Sequence, residues 1–274
     1  MARLTRSLIA MLEQFRPGIA AKLPDYGLTT AAYVAVLALW QLVAAYGWVK
    51  PFILPSPSAT LAVLGSPTYR WLDNTLVTTT EIFVGYAIAV VIGVTLALLF
   101  SWFRTMRALF FSLFVTLSMI PKVALGPLLI VWFGYGIATN ILFACFIAFF
   151  PILITTARGL QESEPELLDL VRALKGTRWQ IFVKIQFPSS LPFVFSAMKV
   201  GAILAVAGAL VGEFIASSRG LGYLMIQVQS TLDTAAMFMA IILLTVVGVA
   251  LFGIVVGLER LLIVKDARAE AAWV

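Results

Sequence analysis

The sequence predicts an all-α, polytopic membrane protein with six transmembrane helices. Composition is the first reason: 62% of the 274 residues are hydrophobic and only 12% are charged, whereas soluble domains carry about a quarter charged residues. A single buried core cannot explain a mean hydropathy of +1.03, because a soluble fold of this size needs a polar shell. The second reason is that the apolar residues form separate stretches, each long enough to cross a bilayer.

Composition also excludes several kinds of function. The chain has no histidine, which is the commonest general base and metal ligand. Its one cysteine, Cys145, lies in an apolar stretch, so one chain can form neither a disulfide nor a thiolate metal site. No paired acids at membrane depth are apparent either. We therefore expect no catalytic residue, no metal site and no cofactor.

The spans follow from the charge-free stretches, and they define a transmembrane domain over residues 26–260. A basic segment, residues 1–25, is predicted to be a tail. After the first span comes a proline-rich loop, and Asn74 or Thr75 can cap the second helix. The first two predicted spans are Tyr26–Val49 and Ile82–Phe103.

The next stretch, Ala108–Ala157, has a single charge, Lys122, and is long enough for two spans. We expect the break at Trp132–Gly136, where two glycines meet aromatic residues. Pro121, Gly126 and Pro127 are expected to kink the third span. The last two spans flank a segment that reads as an outer loop or a re-entrant segment, and residues 261–274 form a second tail. The last four predicted spans are Leu109–Trp132, Ile137–Ala157, Leu191–Gly212 and Ala235–Gly257.

Charge distribution predicts the orientation. Most lysines and arginines fall in the two tails, after the second span and between spans four and five. The positive-inside rule therefore places both termini in the cytoplasm. Because much of the net charge of +6 is explained in this way, we do not predict nucleic-acid binding.

The longest polar, mixed-charge stretch is Glu162–Pro188, which this topology places in the cytoplasm. Its acids precede its bases, as suits a helix dipole. One face of the predicted helix is apolar and needs something to bury against. That face either packs under the membrane bundle or docks on a partner. Its residues are Leu167, Leu168, Val171 and Leu174.

Part of this stretch resembles the cytoplasmic signature of ABC-importer permeases. In that signature an acid and two alanines are followed, after three positions, by glycine, and nine positions later by I-x-L-P. The spacing matches throughout, and the chain departs from the pattern at both alanines, at the glycine and at the leucine. Asp169 stands at the acid, Leu170 and Val171 at the alanines, Lys175 at the glycine with Gly176 one place later, and Ile185, Phe187 and Pro188 at the final part.

Two further segments resemble the branch of these permeases that serves nitrate, sulfonates, taurine and pyrimidine precursors. They are IPKVALGPLLIVWFGYG, which begins at Ile120, and EFIASSRGLGYLM, which begins at Glu213, with STLDTAAMF shortly after it. The resemblance implies the type I importer permease fold in a bacterial inner membrane. It also implies three partners: cytoplasmic ATPase subunits, an extracytoplasmic substrate-binding protein and a second copy of this chain.

The resemblance further implies that residues 158–189 form a coupling loop whose helix seats in the ATPase. The implied coupling residues are Glu166, Asp169, Arg172, Ala173, Leu174, Lys175, Gly176, Trp179, Ile185 and Pro188. No G-x-x-x-x-G-K-[ST] loop is present, which agrees with ATP hydrolysis by another polypeptide. The glycine turn is expected at Lys175 or, moved by one place, at Gly176.

Three charges within or beside the spans need an explanation, because ionisable groups in a membrane are costly. Lys122, Glu81 and Glu213 either line the translocation path or form a structural ion pair between the lysine and one glutamate. Gly220, Gly222 and Tyr223 resemble a family element that gates the path or meets the binding protein, and a plain surface turn is the alternative.

The alternative function is a secondary transporter driven by an ion gradient. It would show an inverted internal repeat and acids at the midplane, and neither is clear in the sequence. The solute is expected to be small and polar or aromatic, and closer to pyrimidine-like compounds than to nitrate.

Overall fold

The computed structural model describes residues 26–162 and 165–263, and every regular element in this part of the chain is a helix. It divides at Ser58 into two compact units. The predicted tail 1–25, and the predicted tail 261–274 beyond residue 263, lie outside the described residues.

The first unit contains helix α1, Tyr26–Ala45. It occupies the predicted first span but ends before Val49, where Gly47 adopts a left-handed conformation with φ of 71°. The Trp40 indole N–H donates to the Pro55 carbonyl at 3.0 Å, and the Gln41 amide exchanges two hydrogen bonds with Ser58. These bonds hold the chain after α1 against the last turns of the helix.

The second unit begins near α2, Pro57–Ala62, and its first long helix is α3, Trp71–Trp102. The predicted cap at Asn74 or Thr75 is wrong, because the helix already begins at Trp71, and the predicted span Ile82–Phe103 occupies its later part. The polar residues of this segment stay helical because their side chains bond to the backbone: the Thr79 hydroxyl donates to the carbonyl of residue 75 at 2.7 Å. At 1.5 Å per residue α3 spans about 48 Å, more than the ~30 Å hydrocarbon core.

The predicted third span is a broken helix. Its halves are α4, Arg107–Ser118, and α5, Lys122–Phe133, and they are bent by 90° at the break. The break falls at Pro121, which has no N–H to donate, so the predicted kink is confirmed there. Gly126 and Pro127 cause no second break, because they stand at the start of the regular helix Gly126–Phe133.

Helix α6, Ile137–Gly159, follows after Gly134 and Gly136, whose φ angles are 76° and 120°. Few residues other than glycine adopt such angles. The predicted break at Trp132–Gly136 is therefore confirmed, and α6 matches the fourth predicted span, Ile137–Ala157, closely.

Helix α7, Pro165–Ala173, lies in the polar stretch, and α8 runs from Arg178 to Ala216. The fifth predicted span, Leu191–Gly212, is correct in place, but its helix starts much earlier. The early start has a local cause: Thr177 and Gln180 form a capping box, in which the Thr177 N–H donates to Gln180 Oε1 at 2.8 Å. A π-helical turn, Phe182–Gln186, then leads into the regular helix at Phe187.

The segment predicted to be an outer loop contains a further helix, α9, Leu221–Ser230. The last helix, α10, is Thr234–Leu262, so it begins as predicted and continues into the predicted tail. Asp233 caps α10 by accepting from the Ala236 N–H at 3.0 Å. An ion pair of 2.9 Å between Lys199 and Glu259 joins α8 to α10.

Helix α6 packs between α3 and α8 at the centre of this unit. Small residues allow the close approach: a Cβ added at Gly208 would lie 2.7 Å from Ala144 Cα, and one added at Gly85 would lie 2.6 Å from Ala144 Cβ. Gly212 meets Asn140 of α6 in the same way, so the Gly208–Gly212 pair serves packing within the chain.

Within the described residues, four unbroken helices are long and apolar enough to cross a membrane: those of α3, α6, α8 and α10. The bent pair of α4 and α5 makes a fifth if it counts as one span. Helix α1, whose apolar part is Thr29–Ala45, stands where the first of the six predicted spans was expected.

Candidate functional site

Helix α7 carries the first part of the predicted coupling segment. Glu166 lies in its first turn and Asp169 and Arg172 follow, with Ala173 as its last residue. Two side chains of the predicted apolar face, Leu167 and Leu174, are 42% and 74% exposed, and its other two, Leu168 and Val171, are half-buried. The neighbouring Leu170 is 55% exposed. The predicted face is thus covered only in part, and apolar side chains at both ends of it are exposed.

The turn after α7 is built on Lys175. Its φ is 55°, the left-handed conformation that usually requires glycine, whereas Gly176 has no positive φ. The Gly176 N–H donates to the Val171 carbonyl at 2.8 Å, which is the long hydrogen bond of a Schellman motif. The turn therefore stays at the position of the family glycine, and the expectation that it moves to Gly176 is wrong.

Gly176 is needed for a different reason. A Cβ at this position would overlap the Val171 side chain, so the chain can pass across the end of α7 only without one. Leu174, Lys175 and Gly176 together form the link between α7 and the capping box of α8.

The remaining predicted coupling residues lie on α8. Trp179 is in its first turn, Ile185 is in the π-helical turn, and Pro188 stands just inside the regular helix. The Trp179 ring contacts Trp102 edge-on, with centroids 5.8 Å apart, and stacks on Phe182 at 6.0 Å. Trp102 is the last residue of α3 and also contacts Phe182, at 5.5 Å. This aromatic cluster joins the predicted coupling segment to the end of α3.

Lys122 lies at the break between α4 and α5. Its ammonium donates to the Ser118 carbonyl, which the break leaves without its helical partner, and stands 5.1 Å from the centre of the Phe150 ring. Among the described residues no ion pair joins Lys122 to Glu81 or Glu213. The proposed structural ion pair is therefore not found.

Glu81 of α3 and Glu213 of α8 meet in the interior, where they are 0% and 1% exposed. The Asn140 amide of α6 donates to Glu81 Oε1 at 2.7 Å, and the Thr78 hydroxyl donates to Glu213 Oε1 at 2.5 Å. The two carboxyls face each other at hydrogen-bonding range. Two acids are thus paired in the interior of the bundle, which the sequence did not predict.

The predicted outer gate is bonded to this pair. The N–H groups of Gly222 and Tyr223 donate to Glu213 Oε2, so the carboxylate caps the N-terminus of α9. The Leu221 N–H donates to Thr78 Oγ1 at 2.8 Å. Gly220, with φ of 111°, leaves no room for a side chain, because an added Cβ would overlap the Glu213 carboxyl. The turn from Gly220 to Tyr223 is therefore bonded to buried side chains and is not a plain surface turn.

A cavity of about 470 Å³ opens beside this turn, between the start of α3 and α9. Its walls carry two tyrosines, Tyr69 and Tyr223, and two arginines, Arg70 and Arg219. Arg70 is paired with Asp73 at 2.5 Å, and the Tyr69 hydroxyl donates to Asp233. The cavity can accept a small aromatic or polar molecule between its rings and its polar side chains.

Several members of this network could not be identified from the sequence. Thr78 and Asn140 are uncharged polar residues on long helices, and Asn74 accepts from the Gly220 N–H at 2.9 Å across the bundle. The only signal was the presence of uncharged polar residues near charged ones on apolar helices. The contact between α3 and α9 cannot be predicted from the spacing of residues along the sequence, because it joins residues far apart in the chain.

The family comparison agrees with this architecture. Residues 89–264 match the model of the binding-protein-dependent transport system inner membrane component. The chain belongs to this family. It is a permease of an ABC importer, a multi-pass component of the membrane and not itself an enzyme. Nothing in the comparisons supports the alternative of an ion-gradient-driven transporter.

Relatives of this permease cover most of its length. A probable ABC transporter permease of Haemophilus influenzae is 33% identical, over 79% of this chain and 89% of the relative. The formylaminopyrimidine transport permease ThiX of Halalkalibacterium halodurans is 29% identical, over 85% of this chain and 94% of the relative. The riboflavin transport permease RibX of Chloroflexus aurantiacus is 31% identical, over 85% and 87%.

A solved structure has the same fold. A chain of the MetNI methionine ABC transporter, in inward facing conformations, covers 72% of this permease and 98% of its own length, with a TM-score of 0.61 and 21% identity. The type I importer permease fold predicted from the sequence is thereby confirmed.

Proposed function

We propose that this permease forms the translocation path of an ATP-driven importer and that α7 docks in a groove of a cytoplasmic ATPase subunit. The observation that carries the proposal is a set of exposed apolar side chains on α7 and just after it: Leu167, Leu170 and Leu174. A short amphipathic helix outside the membrane helices suits a helix-in-groove contact. Acidic residues early in α7 and Lys175 after it would fix the register of that contact.

Force on α7 would reach the membrane helices through the aromatic cluster. The turn at Lys175 and Gly176 links α7 to α8, and Trp179 and Phe182 contact Trp102 at the end of α3. A displacement of α7 therefore moves α8 and α3 together. Such rigid-body movement is what alternating access requires.

The remaining partners follow from the family. We propose that two copies of this permease assemble in a bacterial inner membrane, with both termini in the cytoplasm, and that separate subunits hydrolyse ATP. An extracytoplasmic binding protein would meet the opposite end, where Gly220, Gly222 and Tyr223 lie beside the cavity.

We propose that the helix break at Lys122 lines the translocation path. Non-helical backbone within a membrane is tolerated where it is buried in protein or faces a water-filled cavity. Lys122 is partly exposed there, in a 3₁₀ turn. For Glu81 and Glu213 the path role remains a prediction, since both are sealed from solvent in this conformation.

We propose a small heterocyclic or aromatic compound as the solute. Two of the relatives are named for formylaminopyrimidine and riboflavin transport. Tyrosine rings beside arginine side chains in the outer cavity suit such a solute. Uptake of labelled pyrimidines and flavins by proteoliposomes that contain the permease, its ATPase and its binding protein tests this proposal, and transport of aliphatic sulfonates alone would contradict it.

The docking proposal is tested by Leu170→Glu, with Leu170→Met as the matched control. We expect the glutamate to abolish co-purification of the ATPase subunit and ATP-dependent uptake, while the permease still reaches the membrane. The methionine keeps the apolar contact and should keep both activities. If Leu170→Glu retained full co-purification and coupled hydrolysis, α7 would not be the docking element.

The energy source is tested in the same vesicles. We expect uptake to require ATP and the ATPase subunit, and to persist when proton and sodium gradients are collapsed. Uptake that followed the gradient and ignored ATP would favour a secondary transporter.

A further inference from the structure

The donors around the buried acids are unequally distributed. Glu213 accepts from the Thr78 hydroxyl and from two backbone N–H groups of α9. Glu81 accepts only from Asn140, and its Oε2 is fully buried and receives no hydrogen from any described donor. Glu213 is therefore surrounded as an ionised carboxylate is, and Glu81 is not.

No ion pair with a lysine or arginine of the described residues neutralises the two carboxyls. Helix α3 brings Glu81 to it and α8 brings Glu213, while α6 contributes the neutral Asn140 and α9 contributes backbone N–H groups. Within residues 26–162 and 165–263 no lysine or arginine forms an ion pair with either carboxyl. The side chain of Tyr223, the one titratable group that α9 places nearby, lines the outer cavity.

Two carboxyls at hydrogen-bonding range have no hydrogen to share if both are ionised, and two like charges so close and so buried repel strongly. We infer that the pair binds one proton: Glu81 is a neutral carboxylic acid whose Oε2–H donates to the Glu213 carboxylate. The proton is taken up from solvent water when the helices close around the pair, and it supplies the hydrogen that Glu81 Oε2 otherwise lacks.

The shared proton holds the helices around the two acids together. Through the pair, α3, α6 and α8 are bonded to one another and to the N-terminus of α9. Any movement that opened this end of the bundle would separate the two carboxyls and admit water, and Glu81 would then release its proton. This inference does not depend on the docking of α7 or on the solute.

Infrared spectroscopy of the purified permease in lipid at neutral pH tests the inference directly. We expect a C=O stretching band of a protonated carboxyl that shifts in D₂O and disappears in Glu81→Gln. The matched control is Glu259→Gln, which removes the acid that pairs with Lys199 and should leave the band unchanged. Absence of the band in the wild type, or its persistence in both Glu81→Gln and Glu213→Gln, would overturn the inference.

Thermal unfolding supplies a second measurement. Glutamine at residue 81 keeps an N–H donor towards Glu213 and should preserve the midpoint, whereas Glu81→Ala should lower it clearly. If glutamine and alanine lowered the midpoint equally, no shared proton would be needed. A bound sodium ion is the competing explanation: it would give a midpoint that rises with sodium concentration and no protonated band, and that outcome also overturns the inference. If Glu81→Gln cannot be recovered, the band in wild-type permease with ¹³C-labelled glutamate decides the question alone.

Discussion

Lys175 shows how one residue can keep a family turn without the family glycine. A non-glycine residue in the left-handed conformation is disfavoured by about 1 kcal/mol, and the chain accepts this cost at the end of α7. The Schellman bond from Gly176 to Val171 shows that the turn geometry is nevertheless intact. Lys175 therefore adopts the backbone conformation that the Schellman motif requires, although it is not a glycine.

Replacing Lys175 with glycine should therefore stabilise this turn. We expect a gain of up to about 1 kcal/mol, part of which the greater freedom of glycine in the unfolded chain offsets. Amide hydrogen exchange across residues 170–176 should become slower, and Gly176→Ala should make it faster because its Cβ would overlap the Val171 side chain. Equal exchange rates in Lys175→Gly and the wild type would show that the lysine is not strained.

At the scale of elements, the break between α4 and α5 is the least regular feature of the bundle. Pro121 removes the N–H that would continue the helix, and the end of α4 is left with carbonyls that need donors. Lys122 supplies one of these donors and places a positive charge at the negative end of the α4 dipole. A charge in an apolar stretch is thus explained by local backbone chemistry.

This explanation predicts the behaviour of Lys122→Met. The variant loses a charge-assisted hydrogen bond and a cation–π contact, together about 1–3 kcal/mol, so the thermal midpoint and the uptake rate should both fall. Lys122→Arg keeps the charge and should retain the greater part of both. If Lys122→Met lost uptake at an unchanged midpoint, Lys122 would act on the solute and not as a cap.

Sequence reasoning was accurate where local chemistry decides structure. Gly134 and Gly136 mark the break before α6 because few residues other than glycine adopt their positive φ angles. Pro121 marks the break between α4 and α5 because it has no N–H to donate. The polar first part of α3 could not be predicted from hydropathy. Hydroxyl groups such as that of Thr79 bond to the helix backbone, and a hydropathy scale does not include this bond. The Glu81–Glu213 pair was missed as a pair because only tertiary packing brings α3 and α8 together.

At the scale of the whole molecule, the features form two groups at opposite ends of the bundle. The start of α3 meets the turn at Gly220 and the cavity beside it, and the end of α3 meets the aromatic cluster and the link to α7. Helix α3 therefore connects the predicted gate to the predicted coupling segment. The buried acids lie on the gate side, about three turns from the start of α3.

The distribution of lysines and arginines predicts which end of the bundle faces the cytoplasm. This orientation can be measured by labelling introduced cysteines. The single cysteine of the chain, Cys145, is buried, so introduced cysteines can be labelled selectively. Leu174→Cys, at a side chain that is 74% exposed, should react with a membrane-impermeant maleimide only in inside-out vesicles. Ser218→Cys, at the edge of the outer cavity, should react only in right-side-out vesicles. The reverse pattern would place α7 outside the cell, where no ATPase could reach it, and would contradict both the orientation and the docking proposal.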